Sequence, residues 1–373
     1  MLDDGASACL DPPPRCVLCI TGAARGSFAT PLALSALRKN FVEALGCPVR
    51  ILLQLKTEDS MKELSVSRMG FGVHTAPVAA LKSALLLPWL ASRLEEAVIV
   101  NGSGSFLGAL TPSADNRPAS QPIRAVVTSN SSAWRAYRAR RCTLSPYLSA
   151  GNNQERMLLN HLGQSWCRAA IQRAEMRQGH PFDLVAFARP DLVWWRPVRP
   201  WCTWFGTRET GGASDEVGTT MLSCNHSGCD MAWVAPRRYA ITLLSQAELH
   251  RECDGRAAAC CATPEGLLQH AKRVALCQSR CRDQSARRAC RASPGSALPP
   301  EVDLFADRPQ IASVVRSSAA CATALHSDAG TPEGKSTAQR RGVSAVTIGW
   351  LRTRFGDDVS TCERELSTED IHR

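Results

Sequence analysis

Lysine is scarce in this 373-residue chain: only 6 of the 44 basic residues are lysine and the other 38 are arginine, against 34 acidic residues. Aromatics are scarce too, at 6% with 3 tyrosines and 9 phenylalanines. So few rings make a poor stacking platform for single strands, and no nucleic-acid partner is expected despite a net charge of +10. No apolar run is long enough for a bilayer. The most apolar stretch, Val78 to Leu94, is interrupted by Lys82, Pro88 and Arg93 and falls short of the roughly 20 residues that a span needs. The phosphate loop G-x-x-x-x-G-K-[ST] is missing, which excludes the P-loop class of nucleotide binder. Zinc signatures are missing as well. Cys16-Val17-Leu18-Cys19 has C-x2-C spacing, but no second C-x2-C follows at ribbon spacing, and no histidine pair completes a site with Cys277 and Cys281.

What is present fits a globular α/β protein. Apolar residues make up 44% and charged residues 21%, enough for one large α/β domain with elaborations or for two modest ones. The arginine excess suits a phosphorylated or acidic ligand, because the guanidinium fork matches phosphate and carboxylate oxygens. Genome composition is the alternative explanation. Seventeen cysteines, eight of them between Cys224 and Cys290, point to disulfides and an oxidising compartment, with one thiol left over by the odd count. Three glycosylation acceptor sequences, beginning at Asn101, Asn130 and Asn225, lean the same way toward the secretory pathway and the Golgi lumen. Residues 1–15 are expected to be disordered. Met1 to Pro14 reads as neither signal peptide nor anchor, so a lumenal chain would need a leader outside this sequence.

Element spacing follows an α/β rhythm. Cys16 to Thr21 is a short apolar run bounded by prolines and Gly22, which predicts a buried strand. Thr30 is a good N-cap and Pro31 suits the first helical position; Leu34, Leu37, Phe41, Val42 and Leu45 then recur at helical spacing until Gly46 stops the helix. Val49 to Leu55 is the next buried strand, which completes a right-handed βαβ unit of a parallel sheet. A helix kinked at Pro88 is expected over Val78 to Leu94, with strands at Ala97 to Val100, Ile123 to Thr128 and Leu184 to Ala188. The longest helix should run from Gln154 to Gln178 with Leu159, Leu162, Trp166 and Ala170 on one face; others should begin near Pro236 and at Pro264. Residues 277–373 read as a Cys- and Arg-rich, low-complexity extension, poorly ordered over Ser317 to Arg341.

In open α/β sheets, ligands bind beyond the carboxyl ends of the strands. Two such places carry chemistry-bearing residues. Thr21 to Ser27 is a glycine-bearing turn into a helix, where backbone N–H groups and Arg25 could meet a phosphate; a purely structural turn is the other reading. Arg189-Pro190-Asp191 follows another strand, where Asp191 could reach a diphosphate through Mn²⁺ or Mg²⁺ and Arg189 could neutralise the same charge. An Asp–Arg pair that merely fixes the turn competes with that reading.

Four segments in order carry a resemblance: Cys19 to Arg25, Cys167 to Asp191, Cys229 to Arg237 and Pro264 to His270. Together they resemble a group of GT-A-like nucleotide-sugar glycosyltransferase domains, over roughly residues 16–276. The resemblance implies a Rossmann-like, mostly parallel sheet flanked by helices. It also implies a nucleotide-sugar donor and transfer of the sugar to a hydroxyl of a glycan or other acceptor. It puts Gly22 and Arg25 at the donor nucleotide and Arg189 and Asp191 at the diphosphate, with Asp191 the metal ligand. Asp230 would be the base that takes the acceptor proton, with Glu265 in reserve; a helix N-cap is the other reading of Asp230. Such enzymes commonly carry D-x-D at the strand end. Here only one acid is present, so the sequence leaves metal dependence open. A sulfotransferase using the Gly22–Ser27 loop, and a non-catalytic, disulfide-stapled glycan-binding or structural protein, are the competing readings.

Overall fold

A computed structural model of the chain describes residues 12–24, 28–57, 76, 78–101, 123–128, 153–194, 197–198, 200–202, 222–223 and 232–251. It also describes 267–268, 271–272, 274–275, 302–303 and 312–314, and every structural statement below concerns these residues.

The apolar run at the start forms β1 (Cys16–Ala23), two residues longer than the sequence suggests. Thr30 caps α1 (Pro31–Ala36), its hydroxyl accepting the Ala33 N–H at 3.2 Å. The helix then widens to π-helical geometry over Leu37–Glu43 before Gly46, at φ +73°, ends it as expected. β2 (Val49–Lys56) returns parallel to β1 with Cys16 opposite Val49. The helix expected across Val78 to Leu94 is two short ones instead, α2 (Val78–Ala84) and α3 (Pro88–Ala91). Pro88 supplies the physical reason: it has no N–H for the Ala84 carbonyl and drives Leu87 out of helical geometry, to ψ 127°.

β3 (Leu94–Asn101) starts three residues earlier than the apolar pattern indicates, taking in Glu95 and Glu96. β4 (Ile123–Thr128) lies parallel beside it. α4 (Asn153–Gln178) runs the expected length and stops at Gly179, φ +75°. β5 (Leu184–Ala188) and β6 (Leu192–Trp194) follow. Then come β7 (Leu222–Ser223), β8 (Ala232–Pro236), α5 (Arg237–Leu243) and α6 (Gln246–Arg251). Leu267, Leu268, Ala271, Lys272, Val274 and Ala275 are helical, in line with a helix opening at Pro264. From the stretch read as an extension, β9 (Val302–Asp303) pairs with β7 and β10 (Ala312–Val314) with β6.

The main sheet has the order β4-β3-β2-β1-β5-β8-β7-β9. β1 to β5 are all parallel, and β8 is antiparallel to β5. The protein is thus an α/β fold with a mixed, mostly parallel sheet. Because side chains alternate along a strand, the sheet buries two faces. One face carries Leu18, Ile20, Ile51, Leu53, Ile99 and Ala186 against the π-helical turn, α2 and α3. The other carries Val17, Cys19, Leu52, Val98, Val185 and Phe187 against α4, α5 and α6. Burying each large side chain contributes about 1.5–3 kcal/mol, and strands apolar on both faces are what a covered parallel sheet requires.

Two disulfides leave β1 on opposite faces. Cys16 bonds Cys47 ahead of β2, and Cys19 bonds Cys167 in the middle of α4, 148 residues away in sequence. Cys202 is also disulfide-bonded. The C-x2-C spacing therefore serves two covalent staples, since residues three apart on a strand face opposite ways. Among the described residues no helix is long and apolar enough to cross a membrane.

Candidate functional site

Strand order fixes where a ligand would sit. β1, β2, β3 and β4 step outward in one direction, and the chain then returns through α4 to place β5 on the other side of β1. The gap beyond the carboxyl ends of β1 and β5 is therefore the point at which the winding reverses, and in open α/β sheets that is where ligands bind. Gly22 and Arg189-Pro190-Asp191 lie at this point. Ile20 pairs with Ala188, so the two strands reach the edge together. A β-carbon on Gly22 would lie 3.1 Å from Cδ of Pro190, and Gly22 has φ +138°, a conformation that side chains rarely adopt.

Arg189 and Asp191 form a two-pronged ion pair: Nε donates to Oδ1 at 2.9 Å and Nη2 to Oδ2 at 2.6 Å. The aspartate side chain is only 2% exposed, whereas that of Arg189 is 24% exposed. Arg189 is thus the less covered member of the pair. Beside it, Ile20, Phe28, Leu34, Pro190, Leu192 and Trp194 line a small apolar cleft with about 10 Å³ of enclosed space. Small-molecule sites run to roughly 300–1,000 Å³, so this cleft has room for about one water and is far from a nucleotide site by itself. Its floor is held by Asn40, on the π-helical turn, whose Nδ2 donates to the Trp194 carbonyl at 2.6 Å, and by Phe41 packed on the Trp194 ring at 4.5 Å.

On the other face of the same edge, polar residues replace the apolar pattern. Thr21 and Gln54 are fully buried, and the Thr21 hydroxyl donates to Gln54 Oε1 at 3.0 Å. Lys56 and Thr57 at the end of β2 are buried as well. The sequence signal was there, Gln54 and Lys56 two residues apart at the end of Val49–Lys56, but Gln54 was not among the residues singled out.

Arg25, Asp230 and Glu265 lie outside the described residues. Of the six site residues anticipated from the sequence, Gly22, Arg189 and Asp191 come together at one edge. The divalent cation implied by the resemblance is a poor fit to Asp191: both carboxylate oxygens already accept from Arg189 and the group is almost wholly covered. Among the described residues, no three His, Cys, Asp or Glu side chains converge to hold a metal ion.

Several residues that carry the resemblance hold the scaffold at the opposite edge. Glu175 accepts Arg237 Nε and Nη2 at 2.6 and 2.7 Å and the Phe182 N–H at 3.1 Å. Asp183 takes the Arg15 backbone N–H at 2.8 Å. Cys19 and Cys167 are the disulfide across the second face. Comparison of the sequence with protein families gives no match, and comparison with curated proteins gives none either.

Proposed function

We infer that the protein is a glycosyltransferase-like enzyme of the GT-A type that takes a nucleotide-sugar donor at the carboxyl edge between β1 and β5 and passes the sugar to an acceptor hydroxyl. The observation that carries the reading is the convergence of the close Gly22–Pro190 approach and the Arg189–Asp191 pair at the point where the sheet reverses its winding. A glycine there lets a ligand or a neighbouring backbone come close, and a part-exposed arginine is the residue type that meets a diphosphate. In this reading Gly22 and Arg25 border the nucleotide, and Asp230, with Glu265 behind it, is the base that activates the acceptor hydroxyl. The two disulfides that leave β1 support an oxidising, secretory or Golgi-lumen setting. A sulfotransferase reading leaves the Arg189–Asp191 pair without a task.

The test is a calorimetric screen of nucleoside diphosphates and their sugars, followed by donor hydrolysis and transfer assays. Binding of one nucleoside diphosphate, and its loss in Asp230→Ala turnover but not in Asp230→Ala binding, is the expected pattern. Binding of adenosine 3′,5′-bisphosphate in preference would turn the reading toward sulfotransfer, and binding of neither would leave a scaffold without donor chemistry.

A further inference from the structure

We propose that Cys16–Cys47 is a reversible redox site, opened and closed in the folded protein by an external dithiol, whereas Cys19–Cys167 is a permanent staple. The inference does not depend on the transferase reading.

Access separates the two bonds. Thiol–disulfide exchange needs a thiolate to reach one sulfur of the bond. Cys19 and Cys167 are both fully buried between β1 and α4, so no nucleophile meets either while the helix stays packed. Cys47 is part-exposed, between Gly46 and Pro48, which are both exposed. Its partner Cys16 is 2% exposed, so Cys47 Sγ is the sulfur that an incoming thiolate meets. Attack there forms a mixed disulfide on Cys47 and expels Cys16 as thiolate. The second thiolate of the dithiol then closes the dithiol's own disulfide and expels Cys47. Two electrons pass from the dithiol to the protein, and the two protons that the dithiol gives up end on Cys16 and Cys47.

The surroundings suit an open form as well as a closed one. The Pro14 carbonyl oxygen lies 3.5 Å from Cys16 Sγ, placed to accept from the S–H that reduction creates. Cys16 stands opposite Val49 in the β1–β2 ladder, and its N–H donates to the Pro48 carbonyl at 3.1 Å. These backbone contacts hold the starts of β1 and β2 together without the covalent bond. The fold therefore outlasts reduction, and the two thiols stay near enough to rejoin.

Opening the bond also has a local target. The loop Leu45-Gly46-Cys47-Pro48 clamps residues that follow β6: the Trp201 N–H donates to the Leu45 carbonyl at 2.9 Å, and a β-carbon on Gly46 would lie 3.6 Å from that of Pro200. A few residues earlier, the Asn40 carbonyl accepts the Val198 N–H at 2.8 Å. Releasing Cys47 from β1 removes the covalent anchor of this clamp, so the Val198 and Trp201 amides should open more often.

The experiment incubates the full chain with dithiothreitol in the absence of denaturant, quenches samples with iodoacetamide over time and reads each cysteine by peptide mass spectrometry. Fragment ions distinguish Cys16 from Cys19. Cys16 and Cys47 should be alkylated together, at least tenfold faster than Cys19 and Cys167, with far-UV circular dichroism unchanged. Urea should bring the two rates together, and glutathione disulfide added after removal of the dithiol should restore the protection of Cys16 and Cys47. Hydrogen exchange of Val198 and Trp201 should speed up in the reduced protein while the β1–β2 ladder stays protected. Cys16→Ala/Cys47→Ala should fold and reproduce that exchange pattern without reductant. Equal alkylation rates for the two bonds, resistance of Cys16 and Cys47 until urea is added, or loss of structure on their reduction overturns the proposal. So does a double variant that fails to fold, because a reversible site requires the fold to survive its opening. Unchanged exchange at Val198 and Trp201 overturns the link to the clamp.

Discussion

Gly163 of α4 lies flush against Thr21 of β1: a β-carbon on Gly163 would collide with the threonine hydroxyl oxygen and stand 3.1 Å from its methyl group. The glycine lets the longest helix touch the central strand at the carboxyl edge, beside the Thr21–Gln54 hydrogen bond. In an ordinary helix interior, glycine to alanine stabilises by up to about 1 kcal/mol. Here Gly163→Ala should destabilise, because overpacking a tight contact costs about 1–3 kcal/mol. Urea denaturation of Gly163→Ala, Thr21→Ala and the double variant would show it. The double variant should be less destabilised than the two singles together, since removing the hydroxyl removes the collision. A stabilised Gly163→Ala would mean that the helix stands off the strand.

The Cys19–Cys167 bond ties β1 to α4 across 148 residues of chain, with both cysteines fully buried. Its removal in Cys19→Ala/Cys167→Ala should cost about 2–5 kcal/mol, by freeing the unfolded chain and by thinning a packed layer. Thiol labelling under non-denaturing and denaturing conditions, without reductant, should find no free thiol at either position. A thiol at either one refutes the assignment.

Glu96 is fully buried, with its carboxylate held by Arg173 at 2.7 and 3.2 Å and Arg177 at 4.0 Å. The consequence is an asymmetry. Arg173→Met takes the hydrogen-bonded partner from a covered charge and leaves it Arg177 at 4.0 Å, which should cost about 3–5 kcal/mol, whereas Glu96→Gln leaves a part-exposed arginine and should cost less. Arg38 and Glu43 form the control pair, 48% and 40% exposed; Glu43→Gln there should move stability by no more than about 1 kcal/mol. Thermal and chemical melts of the three variants give the ranking, and equal losses would contradict it.

Gly22→Ala places a side chain at φ +138° and brings it against Pro190. Strain of this kind costs about 1–3 kcal/mol. The substitution should also push the Arg189 turn away from β1, so any anion affinity at the edge should fall with stability. Urea melts of Gly22→Ala that match the parent protein would mean that the close approach is not used.

Much of the framework could be read from the chain because it is written in local chemistry. The Thr30 cap, Pro31, the Gly46 and Gly179 stops and the apolar runs of β1, β2 and β5 are short-range signals, and all appear at or near the expected residues. The misreadings are equally physical. The apolar pattern leaves Glu95 and Glu96 between helix and strand, and pairing with Arg50 of β2 and with Arg173 and Arg177 of α4 makes them tolerable inside β3. Pro88 was read as a kink, but with no N–H to give and Leu87 forced from helical geometry it starts a new helix.

Of the candidate site, the sequence by itself determined which residues follow which strands, because glycine, proline and charge punctuate the chain wherever a buried strand ends. That Gly22 and Pro190 touch, that Asp191 is almost wholly covered, and that Cys16 bonds Cys47 while Cys19 bonds Cys167 were decided only by the tertiary structure. The physical reason is that these facts depend on strand order, register and burial. Those quantities are set by contacts between segments separated along the chain, by 31 residues for Cys16–Cys47 and 148 for Cys19–Cys167, and no local pattern encodes them.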